Sequence, residues 1–573
     1  MVAGRPGLRV PGLNRVPLLI FALLAALAGS AAAQSTLDLH TAFTQLESHG
    51  LAATQLEPDA RSVPWTMLRR LALLGAEFLP PHRPISRGEI TGIATRAHHS
   101  QGPGLGLAAE RRQLAWLLSR YGSRAHAVNW SSCDCRTPQV HVGLDGAVSL
   151  IHLGPGELVS QRSGLASRGI GVLTELDLTV YSGPFWLGAT PRHEWPIWQG
   201  SASVNLALRY TGWPEPTGRP ALGRTRTEAV NRIAWPRVAA GVAMGNWSLA
   251  AGLMPVSVGV GLEGDGLTLG MTSESVPQVV LRRTRPLQWS GFMGWFDPEH
   301  VLFRLGITSE QTITYGTPRG RESHRANPVL TQWLFTWDHT PWWRTTVCGT
   351  ALSAARRGQS LWPDLMQINL PMLDATWTEV DYGPVTDRMV SLIMEARWRR
   401  APWPVLPSAA GRVWWEYAGE DFRPHDQLPI LPEISAPASL AGVELVDHRW
   451  DLGAQYLLTR HARVLWYGNG GFSEGYSHGG ALLGHELGGG AEAWTGVVRW
   501  RTASGRHELE LRGRTAFWRE SNRVPVDTHR RELDLTWRRL AAGHTWTAAA
   551  GWVTEEVGDI SERWWRAQLT RAF

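Results

Sequence analysis

Apolar and polar residues follow two different periods along this chain. From about residue 138 onward they alternate with period two. Leu509, Leu511, Gly513, Thr515 and Phe517 fall on one face of a strand, and Glu508, Glu510, Arg512 and Arg514 on the other. Leu533, Leu535 and Trp537 oppose Glu532, Asp534, Thr536 and Arg538 in the next run, and the same alternation predicts strands at 172–180, 204–210 and 390–398. Before this region the period is helical. Pro64 opens a stretch with Trp65, Leu68, Leu71 and Leu74 on one face. Ser86 and Glu89 form a capping box ahead of Ile90, Ile93 and Ala97, and Leu114, Leu117, Leu118 and Tyr121 make a third stripe.

Strands of roughly ten residues, apolar on one face and mixed-charge on the other, suit a barrel that faces lipid outside and water inside. About 435 residues at roughly 24 per strand and connection give on the order of 18 strands. The last strand runs from Trp565 to Phe573, and its closing aromatic looks like the C-terminal signal that directs barrels to insertion. The expected fold is an all-β transmembrane barrel, antiparallel and of about 18 strands, with a small N-terminal α-helical module. Residues 1–33 read as a signal peptide: Arg5, Arg9 and Arg15 precede an apolar run from Val16 to Gly29 and the small residues Ala31 to Ala33. Residues 34–135 are the helical module, either periplasmic or plugging the barrel end, and 136–573 are the barrel. No apolar run is long enough for a transmembrane helix. The expected location is the bacterial outer membrane, reached through the periplasm, with the chain a monomer in contact with outer-membrane lipid.

Composition narrows the chemistry. The formal charge is +6, and removing three signal arginines leaves 6 − 3 = +3, too little to argue for nucleic acid. No lysine occurs, so all 56 basic residues are arginines, which removes Schiff-base chemistry and any phosphate-loop lysine. Tryptophan, at 31, outnumbers Phe and Tyr together (12 + 9 = 21), as suits rings at a bilayer interface or stacked on sugars. Cys133, Cys135 and Cys348 lack the ligand count of a structural zinc site and read as a local disulfide or inert thiols. The charged inner faces are expected to form cross-strand ion pairs.

Motif by motif, no catalytic case emerges. Gly259, Gly261 and Gly264 match a dinucleotide-binding glycine pattern but have no βαβ unit around them, so they mark a loop or turn. His193-Glu194 and His485-Glu486 lack a second histidine four residues on, and there is no Gly-x-Ser-x-Gly elbow. Neither an enzyme, nor a cofactor, nor a metal site is expected. Two stretches are more specific. Residues 472–490 carry Glu474, Tyr476, His478, His485 and Glu486 among many glycines, and predict a long loop able to fold into the lumen. Residues 412–421 carry Glu416, Glu420 and Asp421 in an aromatic strand and turn.

These stretches resemble the Wzi family of capsule-assembly outer-membrane proteins. The likeness lies in Glu474-Gly475-Tyr476, Gly479, Leu483-Gly484-His485 and Gly488-Gly489, in Trp415 to Asp421, and in the Pro-Trp start and Leu-rich face of the helical region. The chain departs from the family pattern at Pro255–Gly259, where a Trp-Gly-Pro-Gly-like stretch is expected, and at Gly490, where an acidic residue is common. The resemblance implies lectin-like binding of capsular or extracellular polysaccharide at the cell surface. The candidate binding residues are Glu416, Glu420, Asp421, Glu474, Tyr476, His478 and His485. The alternative is a porin-like channel for small solutes or oligosaccharides.

Overall fold

Alternating apolar and charged side chains force one face of each strand toward lipid, and closure of the sheet satisfies every strand edge. The computed structural model describes residues 69–73, 82–83, 141–153, 169–182, 185–199, 232–244, 247–262, 264–270, 275–283, 298–317, 320–340, 342–361, 385–398, 410–420, 423–424, 432–433, 436–447, 449–460, 466–467, 471–473, 475–478, 481–519, 527–541 and 544–572. They form a closed antiparallel barrel of 18 strands. In chain order these are β1 His141–Leu153, β2 Gly169–Ser182, β3 Phe185–Gln199, β4 Arg232–Met244, β5 Trp247–Met254, β6 Val276–Arg283, β7 His300–Ile307, β8 Val329–Thr340 and β9 Trp343–Ala354. They continue as β10 Val385–Trp398, β11 Ala410–Glu420, β12 Ala436–Val446, β13 Trp450–Leu458, β14 Ala491–Arg501, β15 His507–Trp518, β16 Thr528–Ala541, β17 His544–Val557 and β18 Ile560–Ala572. Each pairs with its sequence neighbours, and β1 closes on β18 through pairs such as Leu150 with Leu569.

The two rims differ. At the rim where β1 begins and β18 ends, six of the eight connections between these strands are tight, spanning 183–184, 245–246, 341–342, 447–449, 502–506 and 542–543. The opposite rim carries long connections at 200–231, 255–275, 308–328, 355–384 and 459–490. Short turns lie on the periplasmic side of such barrels and long loops outside, which fixes the orientation in the outer membrane.

The sequence faces are placed as the period predicts. Leu511, Leu533 and Trp552 are exposed on the lipid side, while Arg512, Arg538 and Glu508 are buried in the lumen. The expected cross-strand ion pairs form there. Arg501 donates to Glu508 at 2.7 Å and to Asp451 at 2.9 Å, and Arg538 reaches Glu508 at 2.7 Å and Glu510 at 2.9 Å. Arg499 joins Glu510 to Glu444, and Arg412 joins Glu444 to Glu395. These residues all lie toward the periplasmic ends of their strands, so the inner wall carries a continuous charge network at that level.

Part of the helical module is described, at 69–73, and it is seated on this network. Arg69 pairs with Glu444 at 2.9 Å, and Arg70 with Asp451 at 3.5 Å and the Asp447 carbonyl at 3.1 Å. Burial draws the Arg69 guanidinium down to about 10 against the pull of Glu444, so it stays charged at neutral pH. His82 and Arg83 pair with Val258 and Ser257 of the β5–β6 loop. The signal peptide, the remaining predicted helices, the strand at 204–210, Cys133, Cys135 and Phe573 lie outside the described residues. Cys348 is a free, buried thiol on β9.

Candidate functional site

The first of two loops that fold inward leaves β5 at Met254 and turns on itself. Val258 donates to the Leu269 carbonyl, Gly261 to Asp265, and Gly264 to Gly261. The dinucleotide-like glycines are therefore a tight turn at the tip of a luminal hairpin. Wall residues pin its backbone. Gln455 accepts from Leu262 N–H at 2.7 Å, Glu416 from Leu267 N–H at 3.0 Å, and Arg412 donates to the Val260 carbonyl at 2.7 Å. Arg69 donates to the Leu262 carbonyl, so the loop that starts at the outer rim meets the N-terminal segment at the periplasmic level.

The second loop joins β13 to β14. Its Gly270-facing glycines explain its composition: a Cβ on Gly270 would strike the Gly484 carbonyl, and one on Gly484 would strike the Tyr467 ring. Gly270 N–H donates to the Leu483 carbonyl at 2.7 Å, locking the loops together. Tyr467 sits at the junction with φ of 66°, a backbone region that side chains rarely adopt. Such strain costs on the order of 1–3 kcal/mol and persists only where the surroundings over-determine it. Here Glu420 accepts the Tyr467 N–H at 2.5 Å, the phenol donates to the Leu267 carbonyl at 2.6 Å, and the His485 N–H donates back to the phenol at 3.1 Å.

His485 Nε2 lies 2.8 Å from Asp265 Oδ2, and Gln455 donates to the same oxygen at 3.1 Å. Burial opposes the Asp265 charge, but the His485 hydrogen bond and charge outweigh it and hold the carboxyl down to about 2. Burial pushes the phenols of Tyr467 and Tyr476 well above their usual range. A residual cavity of about 10 Å³ beside Asp265, His485, Arg512 and Arg514 has the room of one water.

The structure thus brings Glu416, Glu420, Tyr476 and His485 together as the buried framework of two loops. His478 is half-buried nearer the outer rim and accepts the Ser309 N–H at 2.9 Å. Asp421 and Glu474 lie outside the described residues. Reading the sequence missed the partners of this framework, Asp265, Tyr467 and Gln455. The glycine cluster at 259–266 was their one sequence signal, and it marked a turn without a location.

Above the framework stands a hairpin made of Gln311–Thr317 and Gly320–Ala326. Its first strand is extended by the second loop: Thr314 N–H donates to Gly471, Ser473 N–H to Thr312, and Gln311 to the Gly475 carbonyl. One face, with Ile313 and Tyr315, is buried. The other presents Thr314 and Ser323, bonded at 2.9 Å, between the exposed Arg321 and Arg325, and a Cβ on Gly316 would meet open space. Arg356 lies over the Tyr315 ring at 5.3 Å, and Arg357 beside it is exposed. The result is a flat, hydroxyl- and guanidinium-bearing surface at the outer rim. Among the described residues no cluster of three or more acidic, His or Cys side chains is placed to hold a metal.

No protein-family model matches the chain, and no curated protein matches it by sequence. Solved structures do match its fold. Wzi, an outer-membrane protein involved in group 1 capsule assembly in Escherichia coli and a carbohydrate-binding β-barrel, superposes with a TM-score of 0.59 at 14% identity. The match covers 91% of this chain and 99% of that one. OccAB2 of Acinetobacter baumannii gives 0.46 at 10% identity over 75% of this chain and 98% of that one. OccK5 of Pseudomonas aeruginosa gives 0.43 at 8% over 76% and 97%. This chain is an eighteen-stranded bacterial outer-membrane barrel with the fold of Wzi.

Proposed function

We propose that the barrel holds a capsular or extracellular polysaccharide at the cell surface, as a member of the capsule-attachment family its fold resembles. The observation that carries this reading is the use made of the inward loops. They fill the lumen beside β9–β15 with buried, mutually bonded backbone, and their upper edge is continued into a polar hairpin raised at the outer rim. That is support for a binding surface rather than for a passage. The hairpin offers hydroxyls and guanidiniums, the groups that hydrogen-bond sugar, and weak contacts multiply along a polymer by avidity. Of the seven residues named from sequence, Glu416, Glu420, Tyr476, His478 and His485 act from beneath by fixing the loops. Asp421 and Glu474 stay proposed sugar contacts on the sequence reading alone.

The test is the partition of polysaccharide between cells and culture medium in strains with and without the gene. Shedding of polymer into the medium at unchanged total synthesis is the expected result. An unchanged partition rejects polysaccharide attachment and leaves the porin-like reading.

A further inference from the structure

The outer wall over β14–β18 carries a layered surface that polysaccharide binding does not use. Register places Trp494, Thr515, Arg531, Thr554 and Arg563 in one outward-facing row across these strands. Arg531 and Arg563 are exposed and flank Thr554, two strand spacings or about 10 Å apart at Cα. That span lets both guanidiniums converge on one ligand above the threonine. Glu556 and His529 face them from the loop side: His529 is stacked on Phe517, accepts from Arg531 Nε at 3.2 Å, and lies 3.6 Å from Glu556.

Depth gives the arginines their meaning. Each lies three residues in from the outer end of its strand. The next outward row toward the membrane centre is Leu533, Trp552 and Trp565, apolar and interfacial in character. An arginine on the lipid face is costly at the midplane and nearly free at the interface, so these two lie at the level of the outer-leaflet headgroups. In the same lower row, Gly496 and Gly513 are paired across β14 and β15, and a Cβ on either meets nothing within 4 Å. They leave a notch on the lipid face, walled by Trp494 above and Leu533 beside it. The guanidiniums stand in the upper row, and the interfacial indoles and the smooth apolar notch lie side by side in the row beneath, a phosphate level above a level for sugar and the start of an acyl chain.

We infer that this wall is a binding site for a phosphorylated, acylated glycolipid of the outer leaflet. Arg531 and Arg563 hold its phosphate over Thr554 through charge-assisted, bidentate hydrogen bonds. Trp552 and Trp565 pack against its sugar, and an acyl chain lies in the Gly496–Gly513 notch.

The experiment is native mass spectrometry of the folded full chain in detergent with diphosphoryl lipid A, its phosphatase-treated form, phosphatidylcholine and inorganic phosphate. Wild type is expected to retain diphosphoryl lipid A at least tenfold more strongly than the R531Q/R563Q double variant, corresponding to the loss of at least one charge-assisted contact. Phosphatase treatment should abolish the difference, and millimolar inorganic phosphate should not compete. Equal retention by wild type and variant overturns the site, as does undiminished binding of the phosphatase-treated lipid. Competition by inorganic phosphate overturns the lipid assignment in favour of a simple anion site. Heat-dependent gel mobility checks that variants are folded. If the double variant does not fold, Gly513→Leu decides. Lost lipid retention in a folded barrel supports the notch, and full retention overturns it.

Discussion

Asp265 and His485 are 220 residues apart in sequence and 2.8 Å apart in the lumen. Because the folded carboxyl sits near 2, below its ordinary 3.8, its ionised form stabilises the loop above pH 4. That contribution is lost as pH falls from about 4 through about 2. Asp265→Asn is therefore expected to lower the local opening free energy of the β5–β6 loop by about 2 kcal/mol at neutral pH. Amide exchange at Leu262 and Leu267 measures it, and the acid-dependent opening of wild type should vanish in the variant. An unaltered exchange rate at both amides rejects this account. His485 was legible in the sequence as a polar residue in a glycine-rich loop. Its partner was not, because nothing local marks an aspartate whose role depends on a contact made only after the barrel closes. Tyr476 illustrates the same limit: the sequence shows an aromatic among glycines, and only the fold shows that it is fully buried, 6.2 Å from Tyr467 in a stacked pair.

At the level of elements, the strands were readable because period two is imposed by lipid on one side and water on the other. The strands predicted at 172–180, 390–398, 508–517 and 532–538 fall within β2, β10, β15 and β16. The loops were readable only as loops. Their inward course depends on wall groups such as Glu416 and Gln455, which the sequence shows as ordinary lumen-facing residues. The outer hairpin was not singled out at all, since Gln311–Ala326 has the composition of any solvated turn. Under the proposed function, its Arg321 and Arg325, about 13 Å apart along one strand, contact the polymer directly. Replacing both with glutamine is expected to release severalfold more polysaccharide into the medium, with barrel mobility on gels unchanged. Retention equal to wild type would move the contact surface away from this face.

For the whole molecule, the choice between binder and channel is open to direct measurement. Two loops and residues 69–73 occupy the lumen beside β9–β15. The intact chain in planar bilayers is expected to show no steady open-channel steps, while replacing 256–269 by a short Gly-Ser linker should produce them. Steady steps from the intact chain would favour the channel reading. The outer hairpin also has a footing beyond its own two strands. It is joined edgewise to 471–473, that loop to Tyr467 and His485, those to Asp265 and Leu267, and the same luminal turn to Arg69 at the periplasmic level. In mechanical terms the hairpin is a post set through the full depth of the floor. Under the proposed function, tension on a polymer held outside is borne along that line of buried bonds and by the wall, instead of by one exposed pair of strands.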